Sequence, residues 1–215
     1  MMTFFIVLAA AAQAYLLGSV DTGILVSKYL YHDDVRNHGS GAAGMTNMLR
    51  TFGKKAAALT AAGDVLKGVA AVCIGRWLFG FLPADAAVSP YLGVYLTAIL
   101  AVVGHTKPIY FGFKGGKGVL VGAVMLAFFD WRVFGIAFAL FLLSVIVTKW
   151  ISLGSILGAV SFPITTWVFY RDPVLTAMAL GMAAVVVFMH RSNIGRIIRG
   201  KENKFSFKSK KTMSD

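Results

Sequence analysis

The sequence predicts an all-α fold: a polytopic membrane protein of about seven transmembrane helices. Of its 215 residues, 58% are hydrophobic and only 14% are charged, whereas a soluble domain is roughly 45–50% apolar and about 25% charged. The apolar residues form several runs, and most reach the roughly 17–25 residues that cross the hydrocarbon of a bilayer. We expect one membrane-embedded domain over residues 1–215, with a basic tail from about residue 190.

Seven apolar segments account for these helices. The first lacks a basic leader and a small-residue cleavage site, so it is interpreted as a span and not as a signal peptide. The fourth has only 13 residues and also fits a short, tilted or half-inserted helix. In chain order the segments are approximately 4–27, 56–82, 88–106, 118–130, 132–148, 151–170 and 173–189.

The connections between segments differ in charge, and this difference predicts an orientation. Lys and Arg occur in the stretches 28–55 and 107–117 and throughout the tail, whereas the connection near 83–90 has neither. Basic connections stay on the cytoplasmic side of a membrane. The chain is therefore expected to begin outside and to end in the cytoplasm, which requires an odd number of crossings.

The net charge of +12 would suggest nucleic acid as the partner of a soluble protein. Here the basic residues lie mainly between apolar spans, so lipid headgroups and anionic substrates are the expected partners, with no nucleic acid. Cys73 is the single cysteine, which excludes an intramolecular disulfide and a thiol-rich metal site. The sequence shows no paired-histidine zinc signature, and we expect neither a metal nor another cofactor.

A polar, glycine-rich stretch, 38–50, lies on the predicted cytoplasmic side. Its glycines permit close backbone approach to a ligand, and Ser40, Thr46 and Asn47 offer neutral hydrogen-bonding groups. Arg50 offers a fork that matches phosphate geometry. The alternative is a flexible loop that caps a helix beginning near Thr46.

A second stretch, 113–118, places two lysines among three glycines. Small residues before a helix can direct backbone N–H groups toward an anion, and lysine adds full charge. The spacing is not that of a nucleotide-binding P-loop. An ordinary basic turn is the alternative; the anion site is favoured, with the candidate phosphate ligands Gly115, Gly116, Lys117 and Gly118.

A third stretch, 190–196, follows the last apolar segment. On a helix, His190 and Asn193 would share one face. The alternative is a juxtamembrane basic helix bound to anionic lipid. That alternative explains Arg196 and the later basic residues better than it explains His190 and Asn193.

Charged residues also lie within the apolar segments. Asp64 and Lys67 are one helical turn apart, which predicts an ion pair beneath the site, or alternatively part of a proton or substrate pathway. Asp21 lies in the first segment. His105 and Lys107 end the third and fit either contacts with lipid headgroups or a supporting role in the site.

These motifs, in this order, resemble the bacterial acyl-phosphate:glycerol-3-phosphate acyltransferases of the PlsY type. The resemblance runs from about Leu17 to Lys204. It is carried by Gly18-Ser19, Gly39-Ser40-Gly41, Gly44, Thr46-Asn47, Leu49-Arg50-Thr51, Gly53-Lys54-Lys55, Asp64, Lys67-Gly68, Gly104-His105, Pro108, Phe113 to Gly118, His190-Arg191 and Asn193-Ile194.

The resemblance implies transfer of an acyl group from acyl phosphate to the 1-hydroxyl of glycerol 3-phosphate, giving lysophosphatidic acid and phosphate, without a cofactor. It implies a plasma-membrane enzyme with seven helices and a cytoplasmic site. By the same resemblance Ser40, Arg50, His190 and Asn193 are catalytic, and the second motif binds glycerol 3-phosphate. Acyl phosphate, membrane lipids and, as a candidate, the soluble enzyme that makes acyl phosphate are the expected partners.

One departure from the family pattern lies in the first motif, where Ala42 stands in place of the usual asparagine. The substitution removes an amide from the candidate site. It keeps open a lipid-headgroup-binding paralogue without catalysis. A membrane transporter or channel for a small anion is the other alternative, because it would also use basic loops and intramembrane charges.

Overall fold

A computed structural model describes residues 1–82 and 90–205. Within these residues all regular structure is helical, which confirms the all-α prediction. The helices are α1 (Met2–Ser19), α2 (Thr22–Tyr31), α3 (Met45–Phe52), α4 (Lys54–Phe79), α5 (Pro90–Thr106), α6 (Val119–Phe129), α7 (Trp131–Thr148), α8 (Ile151–Tyr170), α9 (Pro173–Met189) and α10 (Arg191–Ile198), with 3-10 turns at Val35–Asn37 and Ile109–Phe111.

Each of the seven predicted apolar segments corresponds to helical structure. Among the described residues, five stretches are long and apolar enough to cross a membrane, and α9 with α10, bent by 60°, makes a sixth if the pair is one span. Helix α6 has only 11 residues, as its short segment suggested. The membrane class is thus confirmed, while the count of seven and the orientation stay predictions. The connection near 83–90, which has no Lys or Arg, lies almost entirely outside the described residues.

The first apolar segment is interrupted, which its hydropathy did not indicate. Helix α1 ends at Ser19, and the side chain of Asp21 then accepts a hydrogen bond from the backbone N–H of Ile24 and caps α2. The break frees the carbonyl of Val20 from the helical ladder. That carbonyl accepts a hydrogen bond of 2.9 Å from Nζ of Lys67 on α4.

Small residues let the helices approach one another closely. A Cβ on Gly18 of α1 would overlap the backbone of Ala101 on α5. On α8, Gly154 and Gly158 are four residues apart and lie against the backbone of Phe141 and Ala137 on α7. Such small-xxx-small contacts join membrane helices where burial from water supplies little driving force.

The predicted orientation can be tested by labelling. In a Cys73→Ala background, single cysteines in place of Asn37 and Lys114, both exposed, should resist a membrane-impermeant thiol reagent in intact cells. A cysteine in place of the exposed Arg171 should react with the reagent. Arg171 follows the last residue of α8, and the other end of that helix, at Ile151, is expected on the cytoplasmic side. Labelling at Lys114 from outside would reverse the assigned orientation.

Candidate functional site

The three predicted motifs meet at one open cavity of about 390 Å³. The first motif lies before and within α3, the second precedes α6, and the third lies at the bend between α9 and α10. Residues distant in sequence are therefore brought to one mouth. Its polar lining includes Ser40, Thr46, Asn47, Arg50, Asp64, His105, Lys117, His190, Asn193 and Glu202.

A chain of hydrogen bonds fixes the cation of the second motif. Nζ of Lys117 donates to Oδ1 of Asn193, and Nδ2 of Asn193 donates to Oε1 of Glu202 at 2.7 Å. The same carboxylate accepts from Oγ of Ser152 at 3.0 Å and from Nε of Arg196 at 2.8 Å. Asn193 thus orients Lys117, and Glu202 anchors Asn193.

Glu202 is a site residue that the sequence did not reveal. It is 8% exposed, although it lies among lysines and arginines in a segment interpreted as a basic tail. The available signal was that the tail has only two acidic residues, Glu202 and Asp215, and that Glu202 alone lies within the run of basic residues. A lone carboxylate among basic residues is buried only when it is paired.

Burial shifts the ionisation of the two cations at the mouth. Removal from water lowers the pKa of Lys117 to about 8, and the charge of Arg196 acts in the same direction while Glu202 opposes it. Burial also lowers the pKa of Arg50, whose guanidinium nevertheless stays protonated. Both groups are poorly solvated cations, and an anionic ligand would stabilise their charge.

The side chain of Asn47, which lines the cavity, is hydrogen-bonded within the first motif, and its role as a phosphate ligand stays a prediction. Its Oδ1 accepts from the backbone N–H of Ser40 at 3.1 Å. Its Nδ2 lies within hydrogen-bonding distance of the carbonyls of His38, Ala42 and Val35, at 2.9, 3.0 and 3.2 Å. Asn47 therefore shapes the loop that presents Ser40. Neighbouring Thr46 lines the cavity.

The four candidates of the second motif divide into two pairs. Lys117 and Gly118 line the cavity, whereas Gly115 and Gly116 are absent from its lining. The N–H of Gly116 donates to the carbonyl of His105 at 3.0 Å, so it is already occupied. A Cβ on Gly116 would overlap Nε2 of the same histidine. Both glycines allow close packing against neighbouring residues, and their role as phosphate ligands stays a prediction.

His105, and not Lys107, supports the site from the end of α5. The side chain of Lys107 is exposed and lies outside the cavity lining, while its carbonyl accepts a hydrogen bond from Tyr15. His105 is 3% exposed and lines the cavity. Residues two positions apart at a helix end point in different directions, and the inward position belongs to His105.

The predicted ion pair between Asp64 and Lys67 is confirmed, with 2.8 Å between Nζ and Oδ1. Nζ of Lys67 also lies 2.9 Å from Nδ1 of His105. Because an ammonium can only donate, Nδ1 must accept, and the ring hydrogen belongs on Nε2. Oδ2 of Asp21 lies 4.0 Å from Nδ1 and completes a buried charged cluster beneath the second motif.

His190 lies at the 60° bend between α9 and α10. It is 2% exposed, and its Nδ1 is 2.8 Å from the carbonyl of Val186. A carbonyl only accepts, so Nδ1 carries the hydrogen and Nε2 of the neutral ring has a free lone pair. His190 and Asn193 both line the cavity, as their predicted shared face required.

Beyond the polar mouth, the cavity continues as an apolar channel between α6, α7, α8 and α9. Three phenylalanines of α7 form one wall, with ring centroids 5.5 Å apart for Phe134 and Phe138 and 6.3 Å apart for Phe138 and Phe141. Small residues of α8 and α9 line the other side. This bipartite site suits a ligand with an anionic head and an apolar chain.

Known proteins are similar to this chain in sequence and in fold. The family model described as glycerol-3-phosphate acyltransferase matches residues 8–200. Glycerol-3-phosphate acyltransferases from Thermoanaerobacter sp. (strain X514) and Clostridioides difficile (strain 630) are 40% and 39% identical, over 93% and 96% of this chain and 96% and 99% of theirs.

A crystal structure of PlsY (YgiH), an integral membrane glycerol 3-phosphate acyltransferase in its glycerol 3-phosphate form, superposes with a TM-score of 0.81 and 32% identity, covering 93% of this chain and 96% of that one. The lysophosphatidic acid form superposes with a TM-score of 0.78 and 30% identity, covering 94% and 96%. The matches extend over nearly the whole of both chains. The chain therefore belongs to the glycerol-3-phosphate acyltransferase family.

Proposed function

We propose that this protein transfers a fatty acyl group from acyl phosphate to the 1-hydroxyl of sn-glycerol 3-phosphate at the cytoplasmic face of the plasma membrane. The products are lysophosphatidic acid and phosphate. The observation that carries the proposal is the bipartite cavity, in which Arg50 and Lys117 at the mouth lead into an apolar channel. An acyl phosphate has this same arrangement of charge and chain. The soluble enzyme that makes acyl phosphate is a candidate partner.

The proposed reaction needs positioning more than activation, because acyl phosphate already has a good leaving group. The hydroxyl oxygen attacks the acyl carbonyl carbon, the bond from that carbon to the phosphate oxygen breaks, and phosphate departs. Arg50 and Lys117 offset the repulsion between the two anionic substrates, and Ser40 hydrogen-bonds a phosphate or the reacting hydroxyl. Asn193 and Glu202 hold Lys117 in place.

The hydroxyl proton has two candidate acceptors. Nε2 of His190 has a free lone pair at the cavity, because Nδ1 is held by the carbonyl of Val186. The phosphate of the acyl donor is the other acceptor and would leave with the proton. The variant His190→Gln, which lacks the imidazole, distinguishes these two routes. If the phosphate is the base, this variant should keep its activity with an unchanged pH profile.

The proposal is tested with purified protein supplied with glycerol 3-phosphate and acyl phosphate. Lysophosphatidic acid should form in proportion to phosphate released, whereas the acyl thioester of coenzyme A should not replace the donor. A protein that binds both compounds without forming product would instead be a binding paralogue, as Ala42 in the first motif allows. Product formation from the thioester alone would reject the acyl-phosphate donor.

We expect direct transfer with both substrates bound, and no acyl group on Ser40. Covalent catalysis requires a base beside the nucleophile. The hydrogen bond described for Ser40 joins its backbone N–H to Oδ1 of Asn47, which is an amide oxygen and not a base. Initial rates with both substrates varied should give intersecting lines. Parallel lines, with labelled acyl group trapped on Ser40 when acceptor is withheld, would establish the covalent route.

A further inference from the structure

A second, much smaller cavity lies directly behind the apolar channel. Its lining includes Tyr95, Met125 and Phe129, which the channel does not reach. Three further residues line both spaces and therefore stand between them: Leu126 of α6, Phe162 of α8 and Met182 of α9. We call these three residues the end wall of the channel.

Two of the end-wall residues sit in packed surroundings, and the third is adaptable. The ring of Phe162 stacks on Tyr95 at 5.5 Å between centroids, and Tyr95 meets Phe129 edge-on at 4.5 Å. Leu126 and Met182 are 8% and 4% exposed. Methionine has several rotatable bonds and fills irregular gaps. Phe162 and Leu126 thus form the firm part of the wall.

The end wall lies at a depth suited to a long chain. Leu126 is seven residues from the start of α6 and Phe162 is eleven from the start of α8. At about 1.5 Å per residue, these positions are roughly 10 to 16 Å from the helix ends that face the polar mouth. The space between is lined by small residues, including Gly158, Ala159 and Ala183.

We propose that the end wall sets the acyl-chain length that this enzyme uses. The proposal rests on the acyl-donor function above and adds which residues limit the substrate. A chain that reaches Leu126, Phe162 and Met182 buries all of its methylenes in the channel. A longer chain must displace packed side chains or bend out of the channel, and overfilling a packed site is unfavourable.

The test compares kcat/KM for a series of acyl phosphates that differ in chain length. Met182→Ala and Leu126→Ala should join the two cavities and raise the preference for a donor two carbons beyond the wild-type optimum by about tenfold. Ala183→Leu should narrow the channel and shift the optimum to shorter chains. Leu180→Ala, a change at an exposed position of α9 outside the channel lining, should leave the profile unaltered.

The outcomes separate this inference from the proposed function. A wild-type protein that forms no product from any acyl phosphate would overturn the function and the inference together. Active wild type, with the same chain-length profile in Met182→Ala and Ala183→Leu, would overturn the end wall alone. If Leu126→Ala fails to fold, Met182→Ala and Ala183→Leu still test the end wall, because the first lengthens the channel and the second narrows it.

Discussion

Lys117→Ala is expected to reduce kcat/KM for glycerol 3-phosphate by roughly 100-fold or more, mainly through KM, because it removes a half-buried cation from the proposed anion site. It also leaves Oδ1 of Asn193 without its donor. The matched control is Lys114→Ala, an exposed lysine of the same loop that lies outside the cavity. Equal effects of the two substitutions would show that the loop supplies only general positive charge.

The pH dependence provides a second measurement on the same residue. With a pKa of about 8, the ammonium of Lys117 is charged below that pH and loses its proton as the pH rises through it. The value of kcat/KM should therefore fall above about pH 8. Lys117→Arg keeps its charge and should move that fall to higher pH. If kcat/KM of this variant falls at the same pH as that of the wild type, deprotonation of Lys117 does not cause the fall.

Gly116→Ala should also cost roughly 100-fold in kcat/KM, because a shift of about 1 Å in a positioning element has that effect. The new Cβ would overlap Nε2 of His105. That ring cannot easily move, since its Nδ1 lies 2.9 Å from Nζ of Lys67 and Lys67 is held by Asp64 at 2.8 Å. The loop that carries Lys117 must shift instead.

Two comparisons isolate this cause. Gly181→Ala on α9 meets no atom within 4 Å and should have activity close to that of wild type. The double variant Gly116→Ala with His105→Ala should lose less than the product of the two single losses, because removing the ring relieves the overlap. Strictly multiplicative losses would mean that the two residues act independently.

The helices could be predicted from sequence because membrane spans are specified by averaged hydropathy. The same averaging hides the break at Val20 and Asp21, which depends on one side-chain cap. The pairing of Asp64 with Lys67 was predictable because it is local: three residues on one helix place the two groups side by side. Their contact with His105 joins α4 to α5 and has no local signal.

The site could be predicted as three motifs but not as individual contacts. The motifs contain the residue types that phosphate recognition requires, so Lys117 and Arg50 could be named as candidates, and both line the cavity. Residue type does not tell whether an amide hydrogen-bonds its own backbone, so the contacts of Asn47 within its loop could not be predicted. It also does not tell which of two neighbouring polar residues faces inward, so the sequence alone could not distinguish His105 from Lys107.

The carboxylate of Glu202 has a consequence for how the enzyme is made. The first motif leaves the ribosome early, whereas Glu202 is synthesised after every apolar segment has been delivered to the membrane. Until then Asn193 lacks the partner that orients it toward Lys117. A nascent chain interrupted before this residue would carry the loops of the site without their anchor. Biosynthesis therefore completes the hydrogen-bond chain of the site only after Glu202 has been made, later than all of the apolar segments.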